Sequence, residues 1–354
     1  MAAKPAEGWR AGRRRGRPRR LNLALQGGGA HGAFTWGVLD RLLEDEGFAF
    51  EGISGTSAGA LNAVTLASGW LSGGPAAARH ALATLWHEVA GLARFSPLRA
   101  GGMTQMAADF AAQLLSPYQL NPLGLNPLRK ILGQLVDFER LQGERGVALF
   151  IAATDLRSGA ARIFRNRELT ADALLASACL PQLHQAVAID GAAYWDGGFV
   201  SNPPLVPLVE GCRTRDVLLV QINPTRVAAL PRSARDIRNR MSEIVFGRPL
   251  LAELELLAER ARRARSPLGW WSRAGHRLAR HRLHLIDGGA VLAELDPTTK
   301  IDPDWALLLQ LRDLGRAAAE AWLDAGRGGP LRRRRPPQPA RADLRPPLSR
   351  VVKP

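Results

Sequence analysis

The strongest constraint on the fold is a strand-like segment that leads directly into glycines and then into a helical pattern. Leu21–Leu25 is short and apolar, Gly27–Gly29 follows it, and apolar residues then recur at helical spacing. A second short strand, Gly52–Thr56, leads into a helix of small residues that begins at Ser57. Strands that alternate with helices in this way predict an α/β fold with a mainly parallel sheet.

Further segments extend this pattern over one domain, residues 21–325. The apolar segments 147–153 and 216–222 are suited to strands that are buried on both faces. Residues 72–140 have helical character that Pro and Gly interrupt, and we expect them to form a helical insertion or cap over the sheet. Residues 226–325 are expected to form a helical C-terminal part, because residues 249–265 and 304–325 each have an apolar face at helical spacing.

Arginine dominates the charge of the chain. There are 48 Lys and Arg against 32 Asp and Glu, a formal net charge of +16. Residues 1–20 and 326–354 hold runs of arginine, which predicts two disordered basic tails. A peripheral contact of these tails with an anionic membrane is expected, although a compositional preference for arginine explains the same charge. Nucleic acid is not expected as a partner, because aromatic residues are not interleaved with the arginines.

The expected location is the cytoplasm, peripheral to a membrane if the tails bind one. Only two cysteines occur, Cys179 and Cys212, so a disulfide framework is not expected. No apolar stretch of signal-peptide length follows the basic N-terminus. No uninterrupted apolar run approaches the length that spans a bilayer.

The pentapeptide Gly55-Thr-Ser-Ala-Gly59 fits the pattern Gly-x-Ser-x-Gly. In this pattern a sharp turn between strand and helix lifts a serine hydroxyl above the sheet edge, and the glycines avoid collisions with neighbouring backbone. The helix N-terminus favours negative charge on the serine oxygen. Ser57 is therefore a candidate nucleophile, while an ordinary turn before a helix would explain the same five residues.

The glycines from Gly27 to Gly32 fit the same chemistry, because consecutive glycines expose backbone amides that can bind an oxyanion. The segment also satisfies Gly-x-Gly-x-x-Gly, the fingerprint of a dinucleotide-binding oxidoreductase. That fold needs an acidic residue at the end of the second strand. Glu46 and Glu51 lie in the right range, but Thr56-Ser57 occupies the strand end. A Walker A loop is excluded, because no Gly-Lys-Ser/Thr follows.

A nucleophilic serine needs a base, and the seven histidines show no orienting carboxylate in the sequence. Asp196-Gly197-Gly198 is a better candidate, because its glycines allow a tight turn that brings a carboxylate against the serine. A plain turn aspartate remains an alternative, since Asp287-Gly288-Gly289 and Asp190-Gly191 have the same local pattern.

Three segments together resemble the signature blocks of the patatin-like phospholipases. Leu23–Phe34, Gly55–Gly59 and Asp196–Gly198 are similar to these blocks and occur in the same order. Ser177–Pro181 resembles the helix-to-proline segment of the family, and Asn202-Pro203 follows the aspartate as it does there. The resemblance covers about residues 21–225 and leaves the rest of the chain and both tails unexplained.

The resemblance implies a three-layer α/β/α fold and a calcium-independent lipid acyl hydrolase of the phospholipase or lysophospholipase type. It implies that Ser57 is the nucleophile, that Asp196 is the base of a Ser–Asp dyad, and that no metal or other cofactor is needed. The amides around Gly28, Gly29 and Ala30 would form the oxyanion hole. One departure is His31, where the family usually has Lys or Arg, because a neutral imidazole supplies less positive field.

The substrate implied by the resemblance is a lipid or another fatty-acyl ester. Two alternatives stay open at this point. A non-catalytic lipid-binding or regulatory module on the same fold would form no acyl-enzyme. A dinucleotide-binding oxidoreductase would bind a nicotinamide cofactor.

Overall fold

The computed structural model describes residues 18–45, 47–93, 115–143, 146–225, 230–264, 281–295, 297–301 and 303–327. Most of the two predicted basic tails therefore lies outside the described residues. The strands are β1 (Arg19–Leu25), β2 (Phe48–Thr56), β3 (Ala148–Asp155), β4 (Ala161–Arg165), β5 (Val187–Ile189), β6 (Ala192–Asp196), β7 (Asp216–Gln221) and β8 (Arg282–Asp287). The helices are α1 (Gly32–Glu44), α2 (Ala58–Ala93), α3 (Pro117–Leu120), α4 (Leu128–Leu135), α5 (Phe138–Gly143), α6 (Ala171–Ser177), α7 (Leu205–Gly211), α8 (Ala234–Ala264), α9 (Gly289–Leu292) and α10 (Trp305–Arg327).

The strands form one sheet in the order β5-β6-β3-β2-β1-β7-β8, with β4 paired to β3. The pairs that join β3, β2, β1, β7 and β8 are all parallel, whereas β4, β5 and β6 pair antiparallel. The predicted α/β fold with a mainly parallel sheet is confirmed. All five parallel strands end at the same edge, which is where loops of an α/β sheet usually carry ligand sites.

Side chains that alternate along the central strands divide the interior into two apolar layers. In β1, Leu23 and Leu25 belong to one cluster, which includes α1, α2 and α10. Ala24 between them belongs to the other, which includes α7 and Leu250 of α8. Because successive residues of a strand face opposite sides of its sheet, helices cover both faces. The structure therefore has the three-layer α/β/α arrangement.

Helix α10 is part of the central core, although it is the last described helix and its main partner, α1, is the first. Two glycines make the contact close: a Cβ on Gly37 would lie 1.9 Å from the carbonyl oxygen of Arg312, and a Cβ on Gly315 would lie 2.0 Å from that of Phe34. Trp36 of α1 also stacks on Trp305, with ring centroids 6.2 Å apart. The C-terminal region is thus packed against the first helix of the sheet.

The C-terminal region differs from the expectation in one element. The sequence predicts helix for residues 226–325, but residues 282–287 form β8, a parallel edge strand beside β7. This strand is difficult to recognise in the sequence, because polar His284 interrupts the apolar residues Leu283, Leu285 and Ile286. It also lies at the edge of the sheet, with β7 as its single neighbour. Arg19 and Arg20, placed in the tail by sequence, are the first two residues of β1.

Two helices are longer than the sequence predicts. The small-residue helix after Ser57 continues, with an interruption at Gly73-Gly74, through the start of the expected insertion to Ala93. Helix α8 begins at Ala234, well before the predicted start, and Pro249 lies inside it. No helix in the described ranges combines the length and the apolar composition that crossing a bilayer requires.

Candidate active site

The register of the sheet brings the ends of β2 and β6 together. Thr56, the last residue of β2, pairs with Ala152 of β3, and Asp196, the last residue of β6, pairs with Ala153. β4 occupies the opposite edge of β3 along both stretches. β6 therefore continues the same edge of β3 where β2 stops, and Ser57 follows directly at this junction.

Ser57 lies in a sharp turn between β2 and α2 and is partly exposed. Its φ of 55° is in the left-handed region that non-glycine residues rarely adopt, as is typical of a strained functional turn. Neighbouring glycines make the turn possible: a Cβ on Gly59 would lie 2.1 Å from the carbonyl oxygen of Leu25, and a Cβ on Gly55 would lie 2.5 Å from that of Gly59. The turn chemistry expected from the pentapeptide is therefore present around Ser57.

Asp196 is 1% exposed, and hydrogen bonds hold both its side chain and its backbone. Its Oδ1 accepts from the amide of Gly198 at 2.7 Å, and its carbonyl accepts from the hydroxyl of Thr154 at 2.7 Å. Oδ2 is buried and has no hydrogen-bond partner of normal geometry among the described residues. Burial raises the pKa of Asp196 to about 7, while the Gly198 amide and the Ser57 hydroxyl act in the opposite direction. The carboxyl is thus poised to exchange a proton near neutral pH.

The end of α6 and the residues that follow it hold both Ser57 and Asp196. Ser177 Oγ accepts a hydrogen bond from the amide of Ser57 at 3.0 Å. Slightly further along, the carbonyl of Cys179 accepts from the amide of Asp196 at 2.8 Å. The helix-to-proline segment therefore fixes the backbone of Ser57 and of Asp196 through two positions that are two residues apart.

The glycine loop after β1 is clamped at Gly27 by two asparagines. The amide of Gly27 donates to Asn202 Oδ1 at 2.7 Å, and its carbonyl accepts from Asn223 Nδ2 at 2.7 Å. A Cβ on Gly27 would lie 2.9 Å from the Cβ of Ser57, so the loop passes directly beside the serine. The amide of Gly27 is consumed by Asn202 and is not free for a ligand.

The next three amides, of Gly28, Gly29 and Ala30, donate to no acceptor that the described residues provide. They stand at the start of a single 3₁₀ turn, whose first amides have no partner within the turn. Gly29 has a φ of +61°, and a Cβ there would lie 2.1 Å from the carbonyl oxygen of Lys300. These are the three amides that the sequence predicts for an oxyanion hole, and they belong to the loop that passes Ser57 at Gly27.

His31 is 2% exposed and electrically neutral in this environment. Burial, and then the nearby Lys300, lower the pKa of His31 to about 4. Its Nε2 shares a hydrogen bond with Thr299 Oγ1 at 2.7 Å. The imidazole of His31 is therefore neutral near pH 7, as the sequence predicts for a histidine at the position where the family usually has Lys or Arg.

A positive charge comes close to the loop from another part of the chain. Lys300 Nζ donates to Asn223 Oδ1 at 3.2 Å, and Asn223 in turn binds Gly27. Burial lowers the pKa of Lys300, while Glu243 opposes this shift. Lys300, His31 and Glu243 line a cavity of about 70 Å³ beside the loop. Lys300 could not be predicted from the sequence, because its position against the glycine loop depends on contacts between distant segments of the chain.

The other aspartates of the sequence analysis lie elsewhere. Asp190 is exposed in the hairpin turn between β5 and β6, at the opposite end from Asp196. Asp287 ends β8, three strands from β2, and is exposed. Its Oδ1 accepts from the Gly289 amide at 2.8 Å, the same local geometry as at Asp196. Asp196 and Asp287 therefore share the same local turn, and only Asp196 is buried next to Ser57.

One histidine does have a carboxylate partner, contrary to the sequence analysis. His284 Nε2 lies 2.8 Å from Asp216 Oδ1, but Asp216 begins β7, so this pair lies toward the end of the sheet opposite to Ser57.

Of the two acidic residues considered for a dinucleotide site, the one that the structure describes is not free to bind a ribose. Glu51 accepts hydrogen bonds from the amides of Arg213 and Thr214 and from the Thr214 hydroxyl, so its carboxylate is already engaged. Glu46 lies outside the described residues.

Three supporting side chains besides Lys300 were not predicted as site residues. Ser177 and Asn202 were noted only as parts of a resemblance, and Asn223 was not noted. Asn223 immediately follows the segment 216–222, so a polar residue at the carboxyl end of a buried strand was the available signal. Within the described ranges, no three His, Cys, Asp or Glu side chains cluster as a metal site would require.

Comparison with known proteins gives one family. Residues 23–209, more than half of the chain, match the family model described as patatin-like phospholipase. No curated protein matches the chain.

Two solved structures are similar at low identity. The structure of VipD from Legionella pneumophila is 17% identical with a TM-score of 0.35, and the match covers 84% of this chain and 67% of that chain. A chain of the heterodimeric ExoU–SpcU complex from the type III secretion system of Pseudomonas aeruginosa is 16% identical with a TM-score of 0.36. That match covers 87% of this chain and 51% of the other, so the chain spans about half the length of that relative. Neither similarity identifies a substrate or a partner.

Proposed function

The chain belongs to the patatin-like phospholipase family, and we propose that it is a calcium-independent lipid acyl hydrolase that uses a Ser57–Asp196 dyad. The substrate is a phospholipid or lysophospholipid, and the bond cleaved is a carboxylic ester. The observation that carries the proposal is the junction of β2 and β6, where a buried carboxyl with a pKa of about 7 adjoins a strained serine turn.

Asp196 is suited to the role of base because of what its two oxygens do. Oδ1 is fixed by the Gly198 amide, which orients the carboxyl. Oδ2 is left for the proton of the Ser57 hydroxyl. Since burial raises the pKa of Asp196, its carboxylate is a stronger base than an exposed aspartate and still ionises near neutral pH.

The reaction proceeds in two halves. Ser57 Oγ attacks the ester carbonyl carbon while Asp196 accepts the hydroxyl proton, and the carbonyl π electrons move onto oxygen. The tetrahedral intermediate collapses, the C–O bond to the alcohol breaks, and Asp196 returns the proton to the leaving alcohol. Water then attacks the acyl carbon while Asp196 accepts a proton from it. The bond between the acyl carbon and Ser57 Oγ breaks, Asp196 returns the proton to Oγ, and the fatty acid leaves.

The oxyanion of each intermediate is stabilised by the free amides of Gly28, Gly29 and Ala30. Preorganised amides in a partly enclosed site provide such stabilisation without reorganisation cost, and one donor contributes about 10²- to 10³-fold in rate. The clamp of Asn202 and Asn223 on Gly27 keeps these amides beside Ser57. Lys300 adds a positive field through Asn223, in place of the charge that neutral His31 does not supply.

The direct experiment measures fatty-acid release from phosphatidylcholine and lysophosphatidylcholine in the presence of a calcium chelator. We expect release by the native chain and none by the Ser57→Ala variant, whose folding is checked by circular dichroism. Release that required added calcium would contradict the calcium-independent mechanism. No release from any ester by the folded native chain would favour a non-catalytic lipid-binding module.

A further inference from the structure

Helix α8 carries a stripe of large apolar side chains that face solvent. Ile237, Met241, Ile244 and Val245 are each more than 40% exposed and recur at a spacing of three to four residues, so they share one face of the helix. Leu230, just before the helix, is 85% exposed. We call these five residues the α8 stripe. A cluster of large exposed apolar side chains on one face of a helix is a candidate interaction site.

The opposite face of the same helix is fastened to the candidate active site. The Phe246 ring is so close to Gly198 that a Cβ there would lie 2.3 Å from it, and the Phe246 carbonyl accepts from Asn202 at 3.0 Å. Further along, Glu253 accepts from the amides of Leu205 and Val206 at the start of α7. The face of α8 opposite to the stripe is therefore fastened to the residues that follow Asp196 in the chain.

A second exposed apolar surface adjoins the site through β5. Gln185 Nε2 donates to the carbonyl of Asn121 at 2.6 Å, and the Ala186 amide donates to the Tyr118 hydroxyl at 3.3 Å. Because Val187 pairs with Tyr194, residues 185 and 186 lie level with the Asp196 end of β6. The large exposed side chains here, which we call the 118–125 patch, are Tyr118, Leu120, Leu123, Leu125 and Leu183.

The charge around these surfaces is basic. Residues 230–248 hold five arginines, at positions 232, 235, 238, 240 and 248, against Asp236 and Glu243. Arg240 pairs with Glu243 and Arg248 pairs with Glu255, so the basic excess of this stretch comes from the other three arginines. Residues 115–130 hold two basic residues and no acidic residue, and of the two Arg129 forms an ion pair with Asp172, which leaves Lys130 as the basic excess. Apolar side chains flanked by arginine are suited to the surface of an anionic bilayer, where the apolar groups enter the acyl boundary and the cations meet the headgroups.

We propose that the α8 stripe and the 118–125 patch form a docking face that rests on an anionic lipid bilayer and delivers lipid to the Ser57 edge of the sheet. The proposal rests on the proposed lipid hydrolase function. It assigns membrane contact to the folded domain, whereas the sequence analysis assigned it to the basic tails. Both surfaces adjoin the same end of β6, so a bilayer against them would present its ester groups to the candidate active site.

The test compares two substitutions on one helix in the full chain. Met241→Ser removes an exposed apolar side chain from the α8 stripe, and Leu256→Ser removes one that is 42% exposed but belongs to the distal half of α8. The triple variant Ile237→Ser, Met241→Ser, Ile244→Ser removes most of the stripe. The measurements are co-sedimentation with vesicles of phosphatidylcholine and phosphatidylglycerol in equal parts, and hydrolysis of both vesicle lipid and soluble p-nitrophenyl butyrate.

We expect the triple variant to bind these vesicles about tenfold or more weakly. Its hydrolysis of vesicle lipid should fall with binding, while hydrolysis of the soluble ester stays at the native rate. Met241→Ser should weaken vesicle binding, and Leu256→Ser should leave it unchanged. Binding of the native chain should also weaken between 0.1 M and 1 M salt, as the Debye length falls from about 10 Å to about 3 Å.

Three outcomes would overturn the docking face. Vesicle binding that is unchanged in the triple variant but lost on deletion of residues 1–17 would assign membrane contact to the tail. A native chain that self-associates in light scattering, with a monomeric triple variant, would make the stripe an interface between copies. An equal loss with Leu256→Ser would make the effect non-specific. If no ester is hydrolysed at all, the proposed function fails, while vesicle binding still reports on the face.

Discussion

Thr56 and Asp196 pair with consecutive residues of β3, Ala152 and Ala153, on the same edge of that strand. The arrangement places the residue after Thr56 against the end of β6 without any long loop. Ser57 and Asp196 are far apart in the sequence, yet their relative position is fixed by two strand registers and by the Ser177–Cys179 segment. A site built on strand ends in this way needs little reorganisation to act.

The two Asp-Gly-Gly turns provide a matched pair of substitutions. Asp196→Asn should lower the rate of ester hydrolysis by about 10⁴-fold, because the amide cannot accept the serine proton. Asp287→Asn alters an aspartate with the same local hydrogen bond but in an exposed position three strands away, and it should retain the native rate. The measurement is kcat/KM on p-nitrophenyl butyrate. An inactive Asp287→Asn variant together with an active Asp196→Asn variant would show that the assignment of the base to Asp196 is wrong.

The rate of ester hydrolysis should follow the ionisation of Asp196. Its pKa is raised to about 7, and the base acts in its deprotonated form, so kcat/KM should rise with pH and reach half its plateau at about pH 7. His31, with a pKa of about 4, is already neutral over this range and cannot produce the same midpoint. A pH profile that is flat from about pH 5 to about pH 8 would contradict a buried aspartate as base.

Asp196 should also destabilise the folded protein at high pH. Its folded pKa of about 7 lies above the usual 3.8, so the folded state binds the proton more tightly than the unfolded state does. Stability is therefore lost as pH rises from about 4 through about 7, with a ceiling of about 4 kcal/mol for one group. At about pH 8, Asp196→Asn should raise the melting temperature, and exposed Asp287→Asn should not. A lower melting temperature for Asp196→Asn would contradict the burial argument.

Lys300 should matter for the rate of hydrolysis more than for stability. Lys300→Met keeps most of the side-chain length and removes the charge near the glycine loop, so kcat on a soluble ester should fall about tenfold with little change in KM. Because burial disfavours the charged lysine, the same substitution should not lower the melting temperature. The control is Lys130→Met, on an exposed residue of α4. A large loss of melting temperature with an unchanged kcat would make Lys300 a purely structural residue.

Much of this arrangement could be predicted from local sequence. The glycine loop, the Gly-x-Ser-x-Gly turn and the mainly parallel sheet follow from short segments whose backbone geometry is set by their own residues. The two Asp-Gly-Gly triplets show the limit of such reasoning, because both turns form the same hydrogen bond at 2.7 Å and 2.8 Å. Only the burial of Asp196 beside β2 separates them, and burial depends on the whole sheet.

The contributions of the C-terminal region could not be predicted for the same reason. Lys300 and Asn223 reach the glycine loop through contacts between segments far apart in sequence. The strand β8 has one neighbour and a mixed burial pattern, so it gave no clear apolar signal. The start of α8 was missed because its solvent-facing apolar stripe lacks the usual division between a buried apolar face and a polar face.

The central claim is that Ser57 is the nucleophile, and covalent labelling tests it most directly. A fluorophosphonate probe reacts with an activated serine, and mass spectrometry of the digested protein identifies the modified residue. We expect one labelled residue, Ser57, in the native chain and no labelling in the folded Ser57→Ala variant, whose ester hydrolysis should fall by about 10⁴-fold or more. Labelling that maps to another serine, or that persists in Ser57→Ala together with ester hydrolysis, would contradict the account.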